Sequence, residues 1–71
     1  MDRLLGVIQK NKHEEIRVAV REYEGHIYVD VRTFDRGYPT DKGVTLKREL
    51  VEELIEALAQ ILMVRKETLT Q

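Results

Sequence analysis

The sequence predicts an α+β domain with its strands first and one helix at the C-terminal end, and three observations predict it. Apolar and polar residues alternate through residues 16–34, turn formers punctuate the first two thirds of the chain, and from about residue 47 the apolar period lengthens from two to nearly three and a half. At 71 residues this is one domain, with a core about 4–65, and it buries too little surface to be comfortable as a monomer. A homodimer is expected.

The first strand is residues 4–9, LLGVIQ, short, apolar and β-compatible, and the polar KNKHE after it reads as a loop. Residues 15–23 and 26–34 form a hairpin. Glu24-Gly25 is its tight turn, with Gly25 supplying the positive φ, so that Tyr23 lies opposite His26, Val20 opposite Val29 and Val18 opposite Val31. Because alternate residues of a strand share a face, Ile16 and Ile27 join those valines on a core side. The other side collects Arg17, Arg21, Tyr23, His26, Tyr28, Asp30, Arg32 and Phe34. Residues 35–43, dense in turn formers, read as the longest irregular piece and lead to a short strand at 44–46.

The helix is expected from residue 47 to residue 65, with Leu50, Val51, Leu54, Ile55, Leu58, Ile61 and Leu62 in one apolar stripe. That stripe is broad for a helix covering a small sheet, which assigns Leu50, Leu54, Ile55, Leu58, Ile61 and Leu62 to a dimer interface. The opposite side carries Arg48, Glu49, Glu52, Glu53 and Glu56, the acids gathered where the helix dipole favours them. An ordinary solvated face accounts for this; an acidic surface that docks a transcription or replication protein is the alternative.

Composition excludes several functions. With no serine and no cysteine the chain lacks the common nucleophiles, disulfides and thiolate metal ligands. His13 and His26 lack metal-site spacing, and Gly25, Gly37 and Gly43 form no phosphate-cradling loop. The expectation is a non-enzyme with no cofactor and no metal. No apolar run approaches the roughly 20 residues of a membrane span or a signal segment. An intracellular protein is expected, cytoplasmic and nucleoid-associated in a bacterium or nuclear in a eukaryote.

A net charge of −1 argues against nucleic-acid binding through total charge. The polar side of the hairpin supplies a local patch instead, with three arginines and aromatic rings. Arg17 falls opposite Arg32, and like charges across a strand pair are destabilising unless an anion intervenes. Rings interleaved with arginines suit single-stranded nucleic acid, whose bases stack while its phosphates seek cations. The other reading is that Asp30 neutralises the arginines and the tyrosines are simply good strand formers.

The run REYEGHIYVDVRTF, followed by PTDKGVTL and an amphipathic helix, resembles the positive cofactor four family of transcriptional coactivators over roughly residues 15–62. The resemblance lies in Arg21, Tyr23 and Gly25 at the first turn, Asp30-Val31-Arg32 with Phe34, and Lys42-Gly43-Val44-Thr45-Leu46 before the helix. It implies a strongly curved four-stranded antiparallel sheet, one helix, dimerisation through the helices, and a β-surface that binds unpaired DNA with little sequence preference. Carried over by position, Arg21 and Arg32 hold phosphates, Tyr23 stacks a base and Lys42 reaches the backbone. Arg17, His26, Tyr28 and Phe34 join them from the register. Glu24, His26, Asp35 and Asp41 depart from the more basic pattern of better-known members. Tyr38 is a further candidate stacking group, set against a turn tyrosine packed on Pro39. RNA is the alternative ligand, since stacking and phosphate contacts accept either sugar.

Overall fold

The computed structural model of the chain describes residues 2–65. Strands β1 (Asp2–Gln9), β2 (Glu14–Tyr23), β3 (His26–Asp35) and β4 (Tyr38–Lys47) precede one 3-10 turn (Arg48–Leu50) and helix α1 (Val51–Ile61). The strands form one antiparallel sheet in chain order, leaving β1 and β4 as its edges.

The central hairpin has the register that alternation demands: Tyr23 pairs with His26, Val20 with Val29, Val18 with Val31 and Arg17 with Arg32. Glu24 and Gly25 both take positive φ, 49° and 78°, the backbone of a turn whose twist matches the flanking strands. The same device recurs at Arg36 and Gly37, with φ of 50° and 88°. It corrects the expectation of a long irregular segment at 35–43. Only two residues turn the chain, and the remainder belongs to a ten-residue strand, not a three-residue one. Pro39 is tolerated there because β4 is an edge strand and one missing donor leaves no inner ladder broken.

Both edge strands carry register shifts, in β1 between Leu4 and Gly6 and in the β3–β4 pairing between Arg32 and Phe34. Such bulges bend and twist a sheet. Gly43 pairs with Arg32, and a Cβ there would stand 2.5 Å from the Val31 carbonyl oxygen and 2.8 Å from the Arg32 Cα. Only glycine permits β4 to approach β3 so closely.

The helix is shorter than its apolar stripe. Lys47 still belongs to β4, residues 48–50 make the tighter 3-10 turn, and the α-helical bonding ends at Ile61. The stripe continues past it through Leu62 because apolarity records what must be covered, not where the ladder stops. At its start the helix faces the reverse side of the sheet, where Leu5, Val20, Ile27 and Val29 oppose Arg48, Glu49, Val51 and Glu52 across a groove.

The apolar side of the hairpin is where the sequence puts it, but it is not closed. Ile16, Val18, Val20, Val29 and Val31 are half-buried, Ile27 is exposed, and no apolar residue among those described is fully buried. Among the described residues the buried ones are Asp30 and Thr33, both polar.

Candidate nucleic-acid interface

Strand pairing assembles the front face residue by residue. From β2 it takes Glu15, Arg17, Ala19, Arg21 and Tyr23; the partners opposite them on β3 are Phe34, Arg32, Asp30, Tyr28 and His26. From β4 come Pro39, Gly43, Thr45 and Lys47, and from β1 Asp2, Leu4 and Val7. Arg17, Arg21, Tyr23, His26, Tyr28, Arg32 and Phe34 therefore share one surface.

The centre of this surface is a closed polar network. Arg32 donates through Nε to Asp30 Oδ2 at 3.2 Å and through Nη2 to Asp30 Oδ1 at 3.0 Å, while its Nη1 donates to the Thr40 carbonyl at 2.9 Å. Thr45 Oγ1 donates to Asp30 Oδ1 at 2.7 Å. Nearby, Thr40 Oγ1 donates to the Thr33 carbonyl at 2.7 Å and accepts from the Lys42 amide at 3.2 Å, which satisfies the backbone of the bulge. Asp30 is only 6 % exposed, and burial pushes its pKa up; hydrogen bonds from Arg32 and Thr45 and the fields of Arg32 and Arg21 together outweigh that and hold it below the ordinary value. The same bond to Asp30 raises the pKa of Arg32.

The like-charge pair of Arg17 and Arg32 is thus relieved from within the chain. Arg17 meets the Glu15 carboxylate at 2.5 Å and lays its guanidinium 4.1 Å from the centre of the Phe34 ring. Phe34 is half-buried and covered by that guanidinium, so its face is occupied in the free protein. Arg21, more open, lies 3.4 Å from Asp2.

The aromatic residues cluster at the Glu24-Gly25 end. Tyr23 is 65 % exposed, and His26 meets Tyr28 edge-on with centroids 6.5 Å apart. Arg21, Tyr23, Tyr28 and Thr45 line one open depression there together with Asp2 and Glu22. Lys47, opposite Tyr28, adds a cation that the reading of residue 47 as helical missed. The alternation of V-T-L-K, continued one residue further, carries the signal.

Two candidates stand apart. Lys42 neighbours Gly43, and alternation turns it to the side of Val44; its charge acts on Glu14, which also belongs to that reverse side. Glu14 has a lowered pKa, chiefly through its hydrogen bond from Asn11, with Lys10, Lys42 and His13 adding to it. Tyr38 pairs with Asp35 at the far end of β4 and is largely exposed, away from the Tyr23 cluster. Among the described residues no group of His, Asp and Glu is placed to hold a metal ion, and no helix is long and apolar enough to cross a membrane.

Comparison with known proteins gives this surface a context. No curated protein matches the chain. The structure is similar to a PC4 homolog from Burkholderia pseudomallei, BPSL1147, in two crystal forms. The tetragonal form matches with 29 % identity and a TM-score of 0.80 over 86 % of this chain and 97 % of that one. The orthorhombic form matches with 33 % identity and a TM-score of 0.76 over 83 % and 86 %. The sequence profile of the Transcriptional Coactivator p15 (PC4) family matches residues 10–57, which spans the hairpin, β4 and the first half of the helix. With the profile covering most of the domain and the fold agreeing, the chain belongs to the PC4 family.

Proposed function

We propose that this protein is a homodimeric, non-enzymatic single-stranded DNA-binding protein of coactivator type. It binds exposed strands with little sequence preference during transcription, replication or repair. The observation that carries this reading is the aromatic group of exposed Tyr23 and His26 with half-buried Tyr28, beside Arg21 and Lys47 on one face of the sheet. Unpaired bases stack on such rings and the cations take the phosphates, whereas a duplex hides its base faces. Tyr23 and Tyr28 are the stacking residues, Arg21 and Lys47 the phosphate residues, and Arg32 keeps the sheet in shape between them. Arg17, Phe34 and Tyr38 belong to the periphery of the path, and Lys42, on the reverse side, lies off it. The exposed helix residues Leu50, Ile55, Leu58, Ile61 and Leu62 meet a second copy, together with the half-buried Leu54.

Fluorescence anisotropy with labelled oligothymidine, its uridine counterpart and a duplex of equal length tests the reading. Oligothymidine is expected to bind more tightly than the duplex. A duplex that binds as well would overturn it, and preference for the uridine strand would move the assignment to RNA.

A further inference from the structure

Every arginine on the front face already holds a carboxylate from that same face. Arg17 meets Glu15 at 2.5 Å, Arg21 meets Asp2 at 3.4 Å and Arg32 meets Asp30 at 3.0 Å. The three pairs are not alike. Asp30 is buried, bridged by two arginine nitrogens and the Thr45 hydroxyl, and its exchange for another anion would leave a charge without water or partner. Asp2 and Glu15 keep access to solvent, with side chains 59 % and 26 % exposed. Asp2 can rotate into water without losing a buried bond, whereas Glu15 gives up one part-buried bond from Arg17 Nε.

A phosphate that binds Arg17 or Arg21 must approach the guanidinium edge where the carboxylate now sits, because two anions cannot share it without repulsion. We propose that Asp2 and Glu15 determine which ligands this face accepts: in the free protein they occupy the positions that backbone phosphates take, so nucleic acid binds by exchanging one anion for another. This rests on the single-strand reading of the face. Its physical consequence is a change in ion release. A phosphate contact ordinarily frees a condensed counterion, but here the phosphate must also break an existing ion pair, which offsets part of that gain. The electrostatic share of affinity is thereby reduced for every polyanion alike. The rings remain open, and stacking, which only unpaired bases provide, carries a larger part of the whole.

The test compares the wild-type protein with Asp2→Asn, Glu15→Gln and the double variant, and with Glu56→Gln, which removes the same charge from the helix. Binding to labelled oligothymidine and to heparin, a polyanion without bases, is measured across a range of salt, and thermal melting verifies the fold of each variant. Each front-face substitution is expected to tighten oligothymidine binding about fivefold at low salt and to steepen the slope of log K against log salt, by at most about 0.7. Heparin binding rises with it, and Glu56→Gln leaves both slopes unchanged. Unaltered slopes in Asp2→Asn and Glu15→Gln, or an equal response in Glu56→Gln, would overturn the exchange. Were oligothymidine to fail with every protein while heparin responded as expected, the exchange would stand and the single-strand reading would fall.

Discussion

Two arginines that the sequence ranks together, Arg21 and Arg32, differ in what each guanidinium has left for a ligand. Arg32 spends its donors on Asp30 and the Thr40 carbonyl, whereas Arg21 has one long contact to an exposed carboxylate. Arg32→Ala is therefore expected to lower the thermal midpoint, since it strands a buried carboxylate, while Arg21→Ala weakens strand binding and leaves the midpoint nearly unchanged. Melting curves beside anisotropy separate the two. Tyr23→Ala removes a stacking face and is expected to weaken oligothymidine binding by about 1–3 kcal/mol with no effect on stability; an unchanged titration would remove Tyr23 from the site. Asp30 makes the sheet acid-sensitive. Its folded pKa lies below the unfolded value of about 3.9, so the stability it contributes is complete above that value and is lost as the pH falls through the folded one. Asp30→Asn should flatten the decline of the melting midpoint below about pH 4, though Glu14, lowered as well, leaves a residual slope of the same sign. The face of each of these side chains was legible from alternation. Asp30 was legible as a neutraliser of Arg32, but the pairing of Arg17 with Glu15 and of Arg21 with Asp2 was not, because such pairs depend on rotamers and bulges that a period of two does not encode.

At the scale of elements, what could be read followed from how locally each was determined. The β2–β3 hairpin was readable to the residue, since Glu24-Gly25 fixes the turn and the apolar alternation fixes the register. β4 was not: Pro39, Gly37 and Gly43 look like loop residues, yet Gly37 turns the chain, Pro39 sits on an edge, and Gly43 lets two backbones close on each other. The helix was legible in its position and its stripe but not in its ends, because Leu50 and Leu62, which bound it, have helical backbone angles and no capping side-chain bond. Gly43→Ala tests the close approach directly. With a backbone oxygen 2.5 Å from the added carbon, no side chain can yield, so β4 must move; a loss of about 1–3 kcal/mol is expected in denaturant unfolding. Because Thr45 and the Thr40 carbonyl ride on β4, the Arg32 network should loosen with it. A fully stable Gly43→Ala protein would contradict the pairing of Gly43 with Arg32.

On the scale of the whole molecule the single chain leaves its apolar side unfinished. Among the described residues no apolar side chain is buried, so the reverse face of the sheet has no closed core of its own. The exposed surface is apolar along the helix: Ile55, Leu58 and Ile61 stand 59 %, 57 % and 61 % exposed there, and the valines of the reverse face are only half-buried. A second copy laid against the helices would complete a core that one copy lacks and leave both front faces open, so that binding and folding would use opposite sides of one sheet. Light scattering is expected to give twice the chain mass. Leu58→Asp sharpens the test, because on a monomer that exposed position would tolerate the change to within about 0.5 kcal/mol. In a dimer the aspartate would be buried without a partner, so the variant should scatter as a monomer, lose cooperative unfolding and bind oligothymidine poorly. The wild-type melting midpoint should also rise with protein concentration, as mass action requires when folding and association are coupled. A concentration-independent midpoint together with a stable Leu58→Asp protein would mean that the chain folds alone despite its open apolar side.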